Sequence, residues 1–220
     1  SRAMAAQLRD DLSFDELKAL LQRAGDYLPR QPDADLEAKL DAVDWKNERI
    51  ITFVGKLLSY KGVPSLVAAF PEILAQHPDV RLVVAGRGPL REVLEALVWA
   101  LAHGRRTLVR NIARWGSALE NEDGVGEPFA RLEAFFERRE AEGRLDDYFD
   151  RAARHLTPER VLFTGYLEHD ALCHLFPCCD VAIFPSVVKE AAPLVVGGGG
   201  GARRTPPRPP PPPPPRGGPP

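Results

Sequence analysis

With 220 residues, 44% of them hydrophobic, the chain is long enough for one ordinary domain or two small ones and apolar enough to fill a core. A formal net charge of −2 removes any bulk pull toward nucleic acid or an anionic membrane, so no nucleic-acid partner is expected. No run of about 18 apolar residues occurs, so no transmembrane segment is expected. The start, Ser1-Arg2-Ala3-Met4, lacks an apolar signal core and reads as the middle of a helix. Three closely spaced cysteines, Cys173, Cys178 and Cys179, cannot all pair; they fit reduced thiols and a cytoplasmic location better than a disulfide framework.

In chain order, residues 5–44 read as helical. Leu17, Leu20, Leu21 and Leu28 fall at helical spacing, and Asp33-Ala34-Asp35 suits the start of a second short helix. Residues 1–44 are thus expected to be a helical remnant or linker ahead of a main domain at 45–196. The period then changes. Ile50-Ile51-Thr52-Phe53-Val54 is a short β-rich run ending at Gly55, suited to a strand buried on both faces. An amphipathic helix over 64–77 follows, with Leu66, Val67, Phe70, Ile73 and Leu74 on one side and Pro71 as a potential kink. Val80 to Ala85 is a second strand ending at Gly86, and Pro89 opens a helix carrying Leu90, Leu94, Leu97, Val98 and Leu101. Val161-Leu162-Phe163 is a third strand, His169 to Phe176 a short helix, and Val181-Ala182-Ile183-Phe184 a fourth strand. Alternating strands and helices with fully apolar strands give the fold class: α/β, a Rossmann-like, doubly wound parallel sheet.

Residues 103–158 interrupt the alternation. Rich in Arg and Glu, with Leu132, Phe135, Phe136, Leu145, Tyr148 and Phe149 spaced along them, they predict two or three amphipathic helices around the turn Glu122 to Gly126. Mixed charge favours a helical insertion packed on the sheet edge over a lid or a membrane-facing surface. From Gly197 the composition changes again. Five glycines precede a proline run, and half of the chain's 22 prolines lie after Thr205. Such runs bury no core, so 197–220 is expected to be a disordered Gly/Pro-rich tail, a misassembled end in preference to a linker or SH3-type ligand.

Ligands of open α/β sheets bind beyond the carboxyl ends of the strands. The first such loop, Gly55 to Gly62, flanks its turn with Lys56 and Lys61, point charges suited to phosphate. It lacks the full P-loop pattern, so triphosphate hydrolysis is not indicated. The second, Gly86-Arg87-Gly88-Pro89-Leu90-Arg91, starts like a dinucleotide fingerprint. Arg91 stands where the third glycine would be, and no acidic residue lies near position 106, which counts against a nicotinamide oxidoreductase. A tight turn into a helix N-terminus still favours anions. After the fourth strand, Glu190 precedes a helix start at Pro193, where a carboxylate can meet sugar hydroxyls. His169, Cys173, His174, Cys178 and Cys179 do not match a zinc-knuckle spacing, and no metal site is expected.

The segments Ile51–Gly62, Val80–Pro89, Val161–Leu167 and Cys179–Glu190, in this order, resemble the C-terminal, donor-binding domain of retaining GT-B glycosyltransferases of the glycogen-synthase-like, family-four type. The resemblance covers about residues 48–98 and 159–196. It implies that Lys56 and Lys61 hold the diphosphate of a nucleotide-sugar donor and that Glu190, the first Glu of a Glu-x7-Glu motif, contacts the donor sugar. It places the backbone of Ala191, Ala192, Pro193 and Leu194 at the phosphates, and Gly165, Tyr166 and Leu167 near the nucleobase, with Gly55, Gly86 and Gly88 lining the loops. The implied reaction is transfer of a hexose with retention, without a metal or other cofactor, to an unknown acceptor: a sugar, a lipid or a small molecule. Gly198 stands where the motif's second Glu would be, and the family's acceptor-binding domain has no counterpart beyond residues 1–44, so an incomplete donor half is expected. Peripheral membrane association of a longer parent stays open, as does the alternative of a non-catalytic Rossmann-like module docking a protein through the insertion or the Pro-rich tail.

Overall fold

The computed structural model describes residues 2–24 and 30–186. Short helices α1 (Arg2–Ala5) and α2 (Phe14–Ala24) lead to α3 (Leu36–Asp41). The unit β1 (Arg49–Val54), α4 (Val63–Gln76), β2 (Val80–Ala85), α5 (Arg91–Ala102) follows. Helices α6 (Arg106–Trp115), α7 (Ala130–Ala141) and α8 (Leu145–His155) precede β3 (Val161–Gly165), α9 (His169–Leu175) and β4 (Val181–Ala182).

The four strands form one parallel sheet in the order β3-β2-β1-β4. The chain steps outward from β1 to β2 to β3, then crosses back to place β4 on the other side of β1, which is the doubly wound pattern with its switch point at β1. Period-two alternation sends the strand side chains to two apolar layers. Phe53, Leu82, Val84, Val161 and Phe163 join α4, α5 and the leucines of α2 on one face. Ile50, Val54, Val83, Ala85 and Leu162 pack with Val43 and Leu175 on the other. Met4, Leu8, Leu12, Leu17, Leu20 and Leu21 belong to the first of these layers, so the N-terminal helices share the core of the sheet.

Three local expectations change. Residues 30–35 are extended or turn rather than helical. Proline at 32 disfavours helix at Gln31, and the segment instead bridges antiparallel to β3 through Pro32 and Gly165. The fourth strand is shorter than the run Val181 to Phe184 predicts: β4 covers Val181–Ala182, pairs only with β1 among the described residues, and leaves Val181 50% exposed. The insertion forms three helices, as its periodicity predicts, but they do not pack on the sheet edge. They form an outer layer on α4 and α5. Helix α4 itself runs unbroken across Pro71.

The apolar stripe explains that placement. Phe135, Phe136, Tyr148 and Phe149 make edge, tilted and stacked contacts at 5.1–5.9 Å between ring centroids. Glu72 of α4 receives Arg139 of α7 at 3.1 Å and Arg151 of α8 at 3.3 Å. The buried Tyr148 hydroxyl, its pKa raised by burial, donates to the Ala68 carbonyl at 2.8 Å. Tyr148→Phe keeps the ring packing and removes that bond, so urea denaturation should show a loss of about 1 kcal/mol. A stability equal to that of the unsubstituted chain would remove the hydroxyl from the docking of this layer.

Candidate functional site

The loops that leave the carboxyl ends of β1, β2 and β3 are laced together by their backbones. Gly55 N–H donates to Ala85 O at 3.0 Å, and Gly86 N–H donates to Gly165 O at 2.9 Å. Leu57, fully buried, donates its N–H to Arg87 O and accepts from the N–H of Leu90. Glycine is required at the crossing: a Cβ on Gly86 would sit 1.8 Å from Gly55 O, and one on Gly88 would sit 2.3 Å from Leu57 O. On the other side of the switch point, Gly62 has φ 74°, and a Cβ there would lie 2.1 Å from Pro185 O, so the β1 loop abuts the segment after β4.

These loops floor a cleft of about 610 Å³. Of the residues expected at a site, Lys56, Gly86, Gly88, Gly165 and Tyr166 line it. Gly55 lies beneath, at the crossing with Gly86. Lys61 closes the 3-10 turn Ser59–Lys61, outside the cleft wall, with its ammonium 5.4 Å from the centre of the Tyr60 ring. Leu167 packs in the second apolar layer. Glu190, Ala191, Ala192, Pro193 and Leu194 lie outside the described residues.

The cleft also holds residues that motif reading passed over. Arg87 approaches the Tyr166 ring at 6.0 Å, a cation facing an aromatic on the same wall. Segment 31–35, hydrogen-bonded to the end of β3, also lines the cleft. Tyr166 N–H donates to Gln31 O at 3.1 Å, and Asp33 N–H donates to Thr164 O at 2.8 Å. Asp33 then gathers two cations through three contacts. Arg91 reaches both its oxygens, at 3.1 and 2.7 Å, and Lys39 approaches at 2.6 Å. Arg91 also binds Glu95 one turn along α5. Burial alone would raise the Asp33 carboxyl, but the hydrogen bonds and charges of Arg91 and Lys39 outweigh it and hold the group below its ordinary value. Arg91 is raised, burial working against its charge and the carboxylates of Asp33 and Glu95 prevailing. Glu92, at the start of α5 and on the cleft wall, is raised by burial.

A carboxyl whose pKa is lowered by folding adds stability that is fully present above its unfolded value and is lost as the pH falls through the folded one. Asp33→Asn is therefore expected to cost about 1–3 kcal/mol near neutral pH, because it leaves Arg91 and Lys39 short of an anion. The variant should also lose part of the acid limb of the stability profile. Thermal melts of both chains at neutral and acid pH check this; parallel profiles would show that the latch does not hold the segment.

In the cysteine and histidine cluster, Cys173 Sγ lies 3.7 Å from His169 Nε2 on the exposed face of α9. Burial pushes the Cys179 thiol up to about 12, and its Sγ lies 3.3 Å from Leu175 O. Cys173 and Cys178 are exposed free thiols. No three His, Cys, Asp or Glu side chains converge to hold a metal among the described residues. No helix among them is long and apolar enough to cross a membrane.

Residues 37–109 match the family model described as glycosyl transferases group 1. The chain is similar to an uncharacterized glycosyltransferase of Methanocaldococcus jannaschii, 44% identical over 143 residues, which are 65% of this chain and 23% of that protein. It is also similar to the phosphatidylinositol N-acetylglucosaminyltransferase gpi3 subunit of Schizosaccharomyces pombe, 45% identical over 47 residues, which are 21% of this chain and 10% of that protein. The chain thus spans less than a quarter of the length of either relative. No solved structure matches it.

Proposed function

We propose, from the premise that residues 37–109 belong to the glycosyl transferases group 1 family, that the cleft takes the nucleoside diphosphate of a nucleotide-sugar donor. The protein of which this is the donor-binding part transfers a hexose to an acceptor with retention. The observation that carries the reading is convergence. A lysine, two glycine turns opening a helix, and an aromatic paired with an arginine meet at the strand ends of one doubly wound sheet.

In this reading the glycosidic bond ionises toward an oxocarbenium-like state while negative charge grows on the departing diphosphate. Lys56 faces that charge from the cleft wall, and Lys61, outside the wall at the far end of the same loop, is assigned to it as a second cation, so that both stabilise the transition state more than the ground state. The close backbone of Gly86 and Gly88, at the entry to α5, admits the phosphates where the helix N-terminus favours an anion. Tyr166, backed by Arg87, offers the face on which a base stacks. Glu190 and the backbone of Ala191 to Leu194 are assigned the donor sugar and the phosphates. A donor site of this kind works with the two lysines as its positive charge and needs no metal.

Calorimetric titration of the chain with UDP, GDP and ADP tests this. One nucleotide is expected to bind in preference to the others, and its base names the donor. A folded chain that binds none of the three would overturn the reading.

A further inference from the structure

The loop between Lys56 and Gly62 joins β1 to α4 and carries both lysines assigned to the donor. Leu57 anchors its start, and the 3-10 turn Ser59–Lys61 closes on local bonds from Lys61 N–H to Leu58 O at 3.0 Å and from Gly62 N–H to Ser59 O at 3.3 Å, but the N–H and hydroxyl of Ser59 are satisfied from far along the chain. Ser59 donates its N–H to one oxygen of Glu120 at 3.1 Å and its hydroxyl to the other at 2.7 Å. Both carboxylate oxygens are thereby committed to one serine, 61 residues away in sequence.

Glu120 stands on a braced support. It follows the 3-10 turn Gly116–Leu119, whose Ser117 N–H donates to Glu127 O at 2.9 Å while Glu127 N–H donates to Ser117 Oγ at 2.8 Å. Gly116, at φ 52°, lets the two segments touch, since a Cβ would lie 2.0 Å from Glu127 O. From beneath, the ammonium of Lys18, a side chain buried on α2, donates to the carbonyls of Ala118, Asn121 and Glu122 at 3.4, 2.6 and 3.2 Å. The support is thus tied to the core helices and not to the loop it serves. Burial raises the Glu120 carboxyl while the Ser59 hydrogen bonds oppose the rise. A carboxylate beside a loop meant to hold an anion is electrostatically adverse, and what it gains in exchange is the fixed geometry of that loop.

We propose that Glu120 is a positioning residue: through Ser59 it holds the Lys56–Gly62 loop in the shape that presents its lysines to the donor diphosphate, so the helical insertion serves the donor site. This rests on the donor-site reading above. Ser59 itself is not a phosphate ligand, because both its donors are already spent.

The test uses the full chain and its Glu120→Ala, Glu120→Gln and Lys56→Ala/Lys61→Ala variants. Each is titrated with UDP, GDP, ADP and inorganic pyrophosphate, its melting temperature is recorded, and backbone hydrogen exchange is followed over residues 56–62. Glu120→Ala is expected to bind about tenfold more weakly, with faster exchange at Ser59 to Gly62. Glu120→Gln, whose amide oxygen still accepts from Ser59 N–H, is expected to stay within about threefold of the unsubstituted chain. If Glu120→Ala binds normally while the lysine variant loses binding, the positioning role falls and the donor site stands. If Glu120→Ala and Glu120→Gln lose affinity and melting temperature equally, Glu120 is merely structural and the proposal also falls. If the unsubstituted chain binds none of the four probes, the donor-site reading falls and takes this one with it.

Discussion

The Lys56→Ala/Lys61→Ala variant is expected to bind its nucleoside diphosphate at least about 100-fold more weakly, with little change in melting temperature. A hydrogen bond to a charged group contributes about 1.5–3 kcal/mol, and about 1.4 kcal/mol is a factor of ten, so losing two such contacts exceeds two decades. Stability should hardly respond, because Lys56 is exposed and neither ammonium is built into the core. The loss should shrink as salt is added, since exposed charges are screened within about 10 Å at 0.1 M. Each single variant should fall between the double variant and the unsubstituted chain, and the nucleoside without phosphates should bind all of them alike. Equal affinity of the double variant and the unsubstituted chain would show that neither lysine meets the ligand.

The largest stability effect is expected at Gly86. A methyl group there has nowhere to go: the atom it would meet is the backbone oxygen of Gly55, 1.8 Å away, not the end of a movable side chain. The φ of 155° adds a conformation that residues with a Cβ rarely adopt. Relief requires the ends of β1 and β2 to separate, which breaks the Gly55 to Ala85 hydrogen bond that laces their loops. Gly86→Ala should therefore cost about 3–5 kcal/mol in urea denaturation and remove nucleotide binding with it. Gly143→Ala is the control. Its φ is 65° but no atom lies within 4 Å of the added carbon, so about 1 kcal/mol is expected. Equal costs at the two positions would mean that backbone conformation, and not the crossing of the loops, sets the need for glycine at 86.

Much of this fold was legible because its strands are short, apolar and punctuated by glycine. Runs such as Val80 to Ala85 declare a strand covered on both faces, and the alternation of Phe53 and Val54, or Val83 and Val84, does send neighbours to opposite layers. The loops carrying Lys56, Gly86 and Gly88 could be placed on one side of the sheet because parallel strands all end there. What periodicity cannot supply is the partner of a polar side chain. Asp33 meets Arg91 across 58 residues and Ser59 meets Glu120 across 61, and no spacing rule connects such positions. The one available signal was Pro32, which argues against continuing the N-terminal helix into the segment that now walls the cleft.

The insertion shows the same limit. Its apolar stripe predicts helices with one buried face, but α4 and α5 offer as good a surface as the sheet edge. The choice rests on specific contacts, Tyr148 to Ala68 and the two arginines to Glu72. The run Val181 to Phe184 does form a fourth parallel strand, but a shorter and more exposed one, for a different reason. Apolar content reports that a strand suits a covered environment, whereas exposure depends on which neighbours stand beside it, and among the described residues only β1 does.

Amide chemical-shift mapping of the chain, titrated with whichever of UDP, GDP and ADP binds, tests the central claim most directly. Shifts concentrated at Lys56 to Lys61, Gly86 to Leu90 and Gly165 to Leu167 are the predicted result. Shifts confined to α6, α7 and α8, with those three loops silent, would contradict a donor site at the strand ends.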